Sequence, residues 1–229
     1  MCVKNRYVVR SRISEAVFRR FLRCVAADLT AVQIVQLTGL NRNTVNRLLG
    51  CLRERMADAC ELERSFRGHV KVDESYFGPR RVKGKAGRGA GRKTIVFGIC
   101  KRHGQVYTEV VADCTKGTLL AAIRGKVDIR SIVHSDGWAG YDGLVDMGYK
   151  KHLRVDHSAN EFSSRRVRGN HINGIEGFWG YAKTRLARFR GMHQQTFCLH
   201  LKECEFRYNH RRRDLYKVLL TLCRNDPLS

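Results

Sequence analysis

The chain has 229 residues, with 44 Lys and Arg against 21 Asp and Glu, so its formal net charge is +23 and its isoelectric point is about 10.2. A charge of this size favours a polyanionic partner, and nucleic acid is the most common one. The basic residues run through the whole chain, which argues against a short basic tail, and the 43% apolar content argues against a ribosomal protein.

The nine cysteines are scattered, without a CxxC pair or a Cys/His spacing typical of zinc sites. The sequence contains no apolar run long enough for a signal peptide or for a membrane span, which needs about 18 residues. We therefore expect a cytoplasmic protein with reduced thiols and no membrane partner.

The N-terminal residues 1–60 predict a small helical domain with a helix-turn-helix. Apolar residues at helical spacing over 16–25 indicate a first helix. Thr30 can cap a second helix that Gly39 ends, and Asn41 or Asn43 can cap a third. The third helix would expose side chains suited to guanine and adenine edges in the major groove, namely Arg42, Asn43, Asn46 and Arg47. The alternative is an ordinary three-helix bundle with a polar surface.

After a connector at residues 57–69, the pattern changes to that of an α/β domain over residues 70–229. Strands are predicted at 70–77, 94–100, 105–112, 131–134 and 152–155. Helices are predicted at 119–123, 175–189 and 197–208. Three strands followed by alternating helix and strand, and then by helices, are typical of this class.

A glycine-rich basic segment, Gly78 to Lys93, separates the first two strands and contains no acidic residue. It nearly matches a phosphate-binding P-loop, but Arg92 stands between Gly91 and Lys93 and breaks the required spacing. We interpret it as a flexible basic loop that contacts DNA phosphates. The DNA-binding candidates here are Arg80, Arg81, Lys83, Lys85, Arg88, Arg92 and Lys93, with Arg185 added from a later helix.

Several carboxylates lie in or just after predicted strands, where α/β sheets bind ligands. Asp73 lies within one strand and Asp136 just past the end of another. Because side chains alternate along a strand, Asp73 and Glu74 point to opposite faces, and the pattern does not choose between them. Asp113 and Asp156 also follow predicted strands, so position alone leaves the set of functional acids open.

Glu176 is the one acidic residue between Glu161 and Glu203, in a strongly basic stretch. It lies in the first turn of its predicted helix, beside an apolar stripe. Asn173 three residues earlier makes a capping box the structural alternative. Two aspartates with a glutamate suit magnesium, and a two-metal site stabilises both the attacking and the leaving oxygen of an in-line displacement.

Four stretches together resemble the DDE transposases of small bacterial insertion sequences, which are related to the eukaryotic Merlin transposases. They are Val72 to Gly78, Val133 to Asp136, Asn170 to Trp179, and Leu201 to Asn209. The third stretch is the most specific, because it combines His, Asn, Glu and Trp at the offsets of the family motif. The similarity extends over about residues 30 to 210.

The resemblance implies an RNase H-like mixed sheet flanked by helices, with Asp73, Asp136 and Glu176 as the catalytic and metal-binding acids. It further implies Mg²⁺ or Mn²⁺ as cofactor, cleavage at terminal inverted repeats, and strand transfer into target DNA. The enzyme would act as a homodimer or larger assembly on double-stranded DNA, at the bacterial nucleoid. His171 and Asn173 belong to the family motif without an assigned role. The zinc ribbon of many relatives is missing, because the chain lacks the cysteine pairs.

Two other functions stay open on the sequence. An RNase H-fold nuclease or resolvase would hydrolyse DNA without joining it, and a helix-turn-helix transcription regulator would not bring Asp73, Asp136 and Glu176 together. Trp138, beside Asp136, is a candidate for stacking on an unpaired base. The aromatic residues Phe178, Trp179 and Tyr181 are predicted to belong to the core.

Overall fold

The structure is a computed structural model that describes residues 5–62, 65–78, 93–101, 104–136, 148–149, 151–155, 173–189 and 192–229. The chain forms two compact units. The helical unit comprises Met1–Leu62 and Lys202–Ser229, and the sheet unit comprises Glu63–Leu201. Within the described ranges, no helix has the length and apolarity needed to cross a membrane.

The helical unit contains helices α1, α2, α3 and α7 and the C-terminal part of α6. Their bounds are Glu15–Ala26 for α1, Ala31–Thr38 for α2, Arg42–Glu61 for α3, Gln194–Asn209 for α6 and Leu215–Asn225 for α7. Phe18 and Phe21 of α1, Leu48 and Leu52 of α3, and Leu219 of α7 belong to one buried cluster. The apolar stripes of these amphipathic helices therefore face a common core.

Local capping sets the ends of the helices in the predicted helix-turn-helix. Thr30 and Gln33 form a reciprocal capping box at the start of α2. Gly39 ends that helix with φ 69°, a left-handed conformation that glycine adopts without strain. The Asn41 side chain then accepts the Asn43 backbone N–H at 2.8 Å and starts α3. The predicted caps are confirmed, and Asn41 is the one of the two candidates that is used.

The predicted connector at residues 57–69 is wrong in its first part, since α3 continues to Glu61. Cys60 is buried on this extension, one turn after buried Met56, and this burial outweighs the polar residues between them. The sequence analysis also missed α7, and it placed the C-terminal segment with the α/β domain. In the structure this segment packs with α1 and α3, because α7 buries Leu219 and Cys223.

Buried ion pairs hold the C-terminal part of α6 in the helical unit. Glu203 accepts hydrogen bonds from Arg53 Nε at 2.8 Å and from Arg207 Nε at 2.9 Å. Arg207 also donates to the Val25 carbonyl oxygen at 2.6 Å. Glu203 is only 3% exposed, so its charge depends on these two guanidinium groups.

The sheet unit is built on five strands in the order β3-β2-β1-β4-β5. The strands are β1 His69–Phe77, β2 Thr94–Lys101, β3 Val106–Val111, β4 Ile132–Asp136 and β5 Lys151–Val155, and the helices are α4 Lys116–Lys126, α5 Asn173–Ala187 and the beginning of α6. Strands β1, β2 and β3 are antiparallel, whereas β4 is parallel to both β1 and β5. The predicted RNase H-like mixed sheet with flanking helices is confirmed.

The two faces of the sheet pack against different helices. Val70 and Val72 of β1 lie in one buried cluster with Leu119 and Ile123 of α4. Because side chains alternate, the residues between them point to the other face, where α5 contacts β1 and β2. Asp73 lies on that second face.

We expect Glu203→Gln to lower the free energy of unfolding by about 3 kcal/mol, because it removes the buried anion between half-buried Arg53 and buried Arg207. Urea denaturation measures this change. Lys217→Gln is the control, since its ion pair with Asp214 is exposed and long at 3.8 Å. Equal stability of the two variants would show that the network contributes little.

Candidate active site

The Asp73 carboxylate is held on both of its oxygens. Its Oδ1 accepts the Glu74 backbone N–H at 2.9 Å. Its Oδ2 accepts the indole N–H of Trp179, on α5, also at 2.9 Å. Because each oxygen has a different donor, these two bonds define the orientation of the carboxylate.

A glycine opposite Asp73 lets the tryptophan reach it. Gly98 of β2 is the register partner of Asp73. A Cβ atom at Gly98 would lie 2.5 and 2.7 Å from the Trp179 ring atoms Cζ2 and Cη2, and 2.9 Å from Ile175 Cδ1. The indole therefore lies directly on the backbone of β2, at a position where no other residue type fits without movement.

Asp136 is the last residue of β4, whereas the prediction ended this strand at His134 and placed Asp136 just past its end. Strands β1 and β4 are parallel, and Lys71 pairs with His134. Asp136 lies two residues further along β4 than His134, so the strand that carries Asp73 and the strand that Asp136 ends are parallel neighbours. The side chain of Asp136 lies outside the described part of the structure.

Glu176 is exposed in the first turn of α5, which begins at Asn173. It lies close enough to Lys71 of β1 to interact with it electrostatically, as does Asp73. Lys71 precedes Asp73 by two residues, so both point to the same face. Glu176 on α5 and Asp73 on β1 thus both lie near the buried ammonium group of Lys71.

Lys71 is a half-buried residue with a buried ammonium group, and it was not among the predicted site residues. Its Nζ is inaccessible to solvent and, among the described residues, has no hydrogen-bond partner. Burial lowers the pKa of Lys71 to about 8, while nearby Cys100, Glu176 and Asp73 favour the charged form and oppose this shift. The signal in the sequence was a lysine at an inward strand position, two residues before an aspartate.

The competing acids lie in different surroundings. Glu74 follows Asp73 in β1 and points to the opposite face. Asp113 accepts hydrogen bonds from Thr118 and Thr115 at the start of α4, and these bonds hold its pKa below the ordinary value. This arrangement gives Asp113 a local structural role. Asp156 lies outside the described residues.

No group of three His, Cys, Asp or Glu side chains that could hold a metal ion occurs among the described residues. The predicted triad is not fully represented there, because the described part includes only the backbone of Asp136. Asp73 and Glu176 are the two predicted ligands whose side chains the structure describes.

The predicted DNA-binding residues fall into three groups. Arg42, Asn43, Asn46 and Arg47 of α3 and Lys93 before β2 are exposed. Arg80, Arg81, Lys83, Lys85, Arg88 and Arg92 lie outside the described residues. Arg185 differs from the prediction, since it is only 6% exposed and its guanidinium carbon lies 5.8 Å from the centroid of the Phe189 ring.

Trp138 and His171 also lie outside the described part, and of Asn173 only the backbone is described. Phe178 and Trp179 are buried, as predicted for core residues, whereas Tyr181 is half-buried. The sequence analysis missed the hydrogen bond from Trp179 to Asp73 and the space that Gly98 provides for it.

Residues 65–209 match the family model of the ISXO2-like transposase domain, which is a DDE transposase family of the IS1595 group. Because this match covers more than half of the chain, the protein belongs to the ISXO2-like transposase family. An uncharacterized transposase-like protein of Haemophilus influenzae is 43% identical over 105 residues, which are 46% of this chain and 81% of that protein.

Among solved structures, the chain is similar to a pre-cleavage Mos1 transpososome and to the Mos1 strand transfer complex. The first is 15% identical with a TM-score of 0.39, and the match covers 89% of this chain and 77% of that one. The second is 15% identical with a TM-score of 0.40, and the match covers 94% and 78%.

We expect Gly98→Ala to lower the free energy of unfolding by about 1–3 kcal/mol, because the new methyl group overlaps the Trp179 ring. Gly180→Ala is the control, since a Cβ there meets nothing within 4 Å and should stabilise α5 by up to about 1 kcal/mol. Urea denaturation compares the two. Wild-type stability of Gly98→Ala would contradict the close packing of α5 on β2.

We expect Lys71→Met to stabilise the protein at neutral pH, and the gain to shrink at alkaline pH. The pKa of Lys71 is about 8 in the folded chain against an ordinary value of 10.5. Between these values the unfolded chain binds more protons, so wild-type stability rises with pH, and below about 8 the full penalty of the buried charge is present. Urea midpoints across this range measure the effect, with exposed Lys116→Met as control. A gain independent of pH would contradict it.

Proposed function

We propose that the protein is a DNA transposase that binds terminal inverted repeats, cleaves DNA and transfers the cut end into target DNA. The observation that carries this proposal is that Asp73 of β1 and Glu176 of α5 both lie near Lys71, while Asp136 ends the parallel neighbouring strand β4. Membership of a transposase family supports the same function.

Asp73, Asp136 and Glu176 are the residues that would hold Mg²⁺ or Mn²⁺. Their carboxylate oxygens are the hard donors that these ions prefer, and the oriented carboxylate of Asp73 is suited to a fixed coordination position. When bound, the ions would activate the attacking hydroxyl or water and stabilise the departing oxygen. The fit of the donor set supports a metal-dependent polynucleotidyl transferase.

The DNA would be held by basic and polar side chains outside the acidic site. Arg42, Asn43, Asn46 and Arg47 are exposed at the N-terminal end of α3, the part of a recognition helix that contacts base edges. We assign sequence reading to the helices of residues 1–60 and catalysis to the domain that begins at residue 70. Synapsis of two transposon ends would require a dimer or a larger assembly.

A strand-transfer assay with the element's terminal DNA and Mg²⁺ tests the proposal. We expect Glu176→Gln to reduce both cleavage and joining by about 100-fold or more. Mutation of a residue that only supports a metal ligand typically lowers activity by about 10- to 100-fold, and loss of the ligand itself should cost at least as much. End binding should be retained, since it depends on other residues, and a gel-shift assay measures it.

Asp113→Asn is the matched control, because Asp113 also follows a strand but is engaged by Thr115 and Thr118. This variant should cleave and join like the wild type. Undiminished joining by Glu176→Gln would remove Glu176 from the mechanism. Hydrolysis by the wild type without any joining would favour a nuclease or resolvase instead.

A further inference from the structure

The hydrogen bond between Trp179 and Asp73 joins two elements of the proposed site. Trp179 is only 6% exposed, and its indole has one polar group, the Nε1–H, which donates to Asp73 Oδ2 at 2.9 Å. A hydrogen bond to a carboxylate away from bulk water is stronger and more directional than a neutral one. The bond therefore constrains both partners.

The same tryptophan is linked to Glu176 through the helix. Trp179 follows Glu176 by three residues on α5, and side chains three residues apart are neighbours on one side of a helix. Anchoring the indole on β1 therefore limits the sliding and rotation of the first turns of α5. The position of Glu176 relative to Asp73 depends on this anchor.

The backbone around the anchor is shaped for close contact. The indole lies against Gly98, where an added Cβ would come within 2.5 Å of the ring. Gly174, two residues before Glu176 on α5, lies where an added Cβ would be 3.1 Å from Cys100 Sγ. Two positions without a side chain thus allow α5 to approach β2 at the height of Asp73.

We propose that Trp179 is a positioning residue of the active site, which orients the Asp73 carboxylate and sets the place of Glu176 for metal binding. This inference rests on the proposed function, because it assigns the residue a role toward the metal ions. Trp179 acts through Asp73 and does not itself contact substrate. A tryptophan that only fills the core would not need its N–H group.

Trp179→Phe tests the role of the N–H, because it keeps an aromatic ring in the core and removes the donor. The full-length protein is titrated with Mn²⁺, without DNA, by isothermal titration calorimetry. We expect binding to weaken by about 10- to 100-fold, as is typical when a group that orients a metal ligand is removed. Phe178→Leu is the matched control, since Phe178 is fully buried next to Trp179, and it should bind Mn²⁺ like the wild type.

A second measurement uses the folded protein with Trp179 intact, so it decides the question even where Trp179→Phe does not fold. The chain has two tryptophans, and Trp138→Phe assigns their indole N–H signals in a nitrogen-15 NMR spectrum. We expect the Trp179 signal to shift on addition of Mg²⁺ and to lose this response in Asp73→Ala.

The outcomes separate this inference from the proposed function. Absence of metal binding by the wild type overturns the proposed function, and the role of Trp179 with it. Metal binding that is equal in the wild type and Trp179→Phe overturns only the role of Trp179. Equal weakening in Trp179→Phe and Phe178→Leu, or an indole signal that does not respond to Mg²⁺ when calorimetry shows binding, also overturns it.

Discussion

The contact of α5 with the backbone of β2 at Gly98 is the constraint on which the Asp73 side of the sheet depends. Asp73 lies within a strand, where an acid needs hydrogen-bond donors to offset the loss of water. One donor is the next backbone N–H, and the other is an indole carried by a helix more than a hundred residues later in the chain. The indole reaches Asp73 because the register partner of Asp73 has no side chain.

The two faces of the sheet differ in the side chains that β1 contributes to them. On the α4 side, Val70, Val72 and their neighbours form an apolar cluster that needs no polar partner. On the other side, Lys71 and Asp73 alternate with them along the same strand, and His69 Nδ1 lies 2.9 Å from His134 Nε2. Because successive side chains of β1 point to opposite faces, the same strand supplies apolar side chains to one face and a row of ionisable groups to the other.

The sequence predicts features that arise from local chemistry and misses those that arise from contacts between distant segments. Thr30 and Gly39 define the ends of α2 because capping depends on neighbouring residues. The choice of Asp73 over Glu74 came from a family resemblance, since alternation tells only that they face opposite ways. The structure adds that the Asp73 face is the one with the indole donor and the lysine. Gly98 carries no local signal, and Lys71 carries only its strand position two residues before an aspartate, because each acquires its role from contacts with α5.

The buried lysine also bears on how an acidic site works within a chain of net charge +23. The carboxylates of Asp73 and Glu176 both lie near the single ammonium group of Lys71, so negative charge is in excess where, on the proposed function, a DNA phosphate must approach. On the proposed function, the excess of basic residues would attract DNA over a distance of about 10 Å or less at moderate salt, but it would not cancel repulsion at direct contact. Two divalent cations would reverse the local sign. On the proposed function, the positive net charge of the chain therefore governs DNA binding. The negative charge of the site, in contrast, makes the approach of the scissile phosphate depend on bound metal ions.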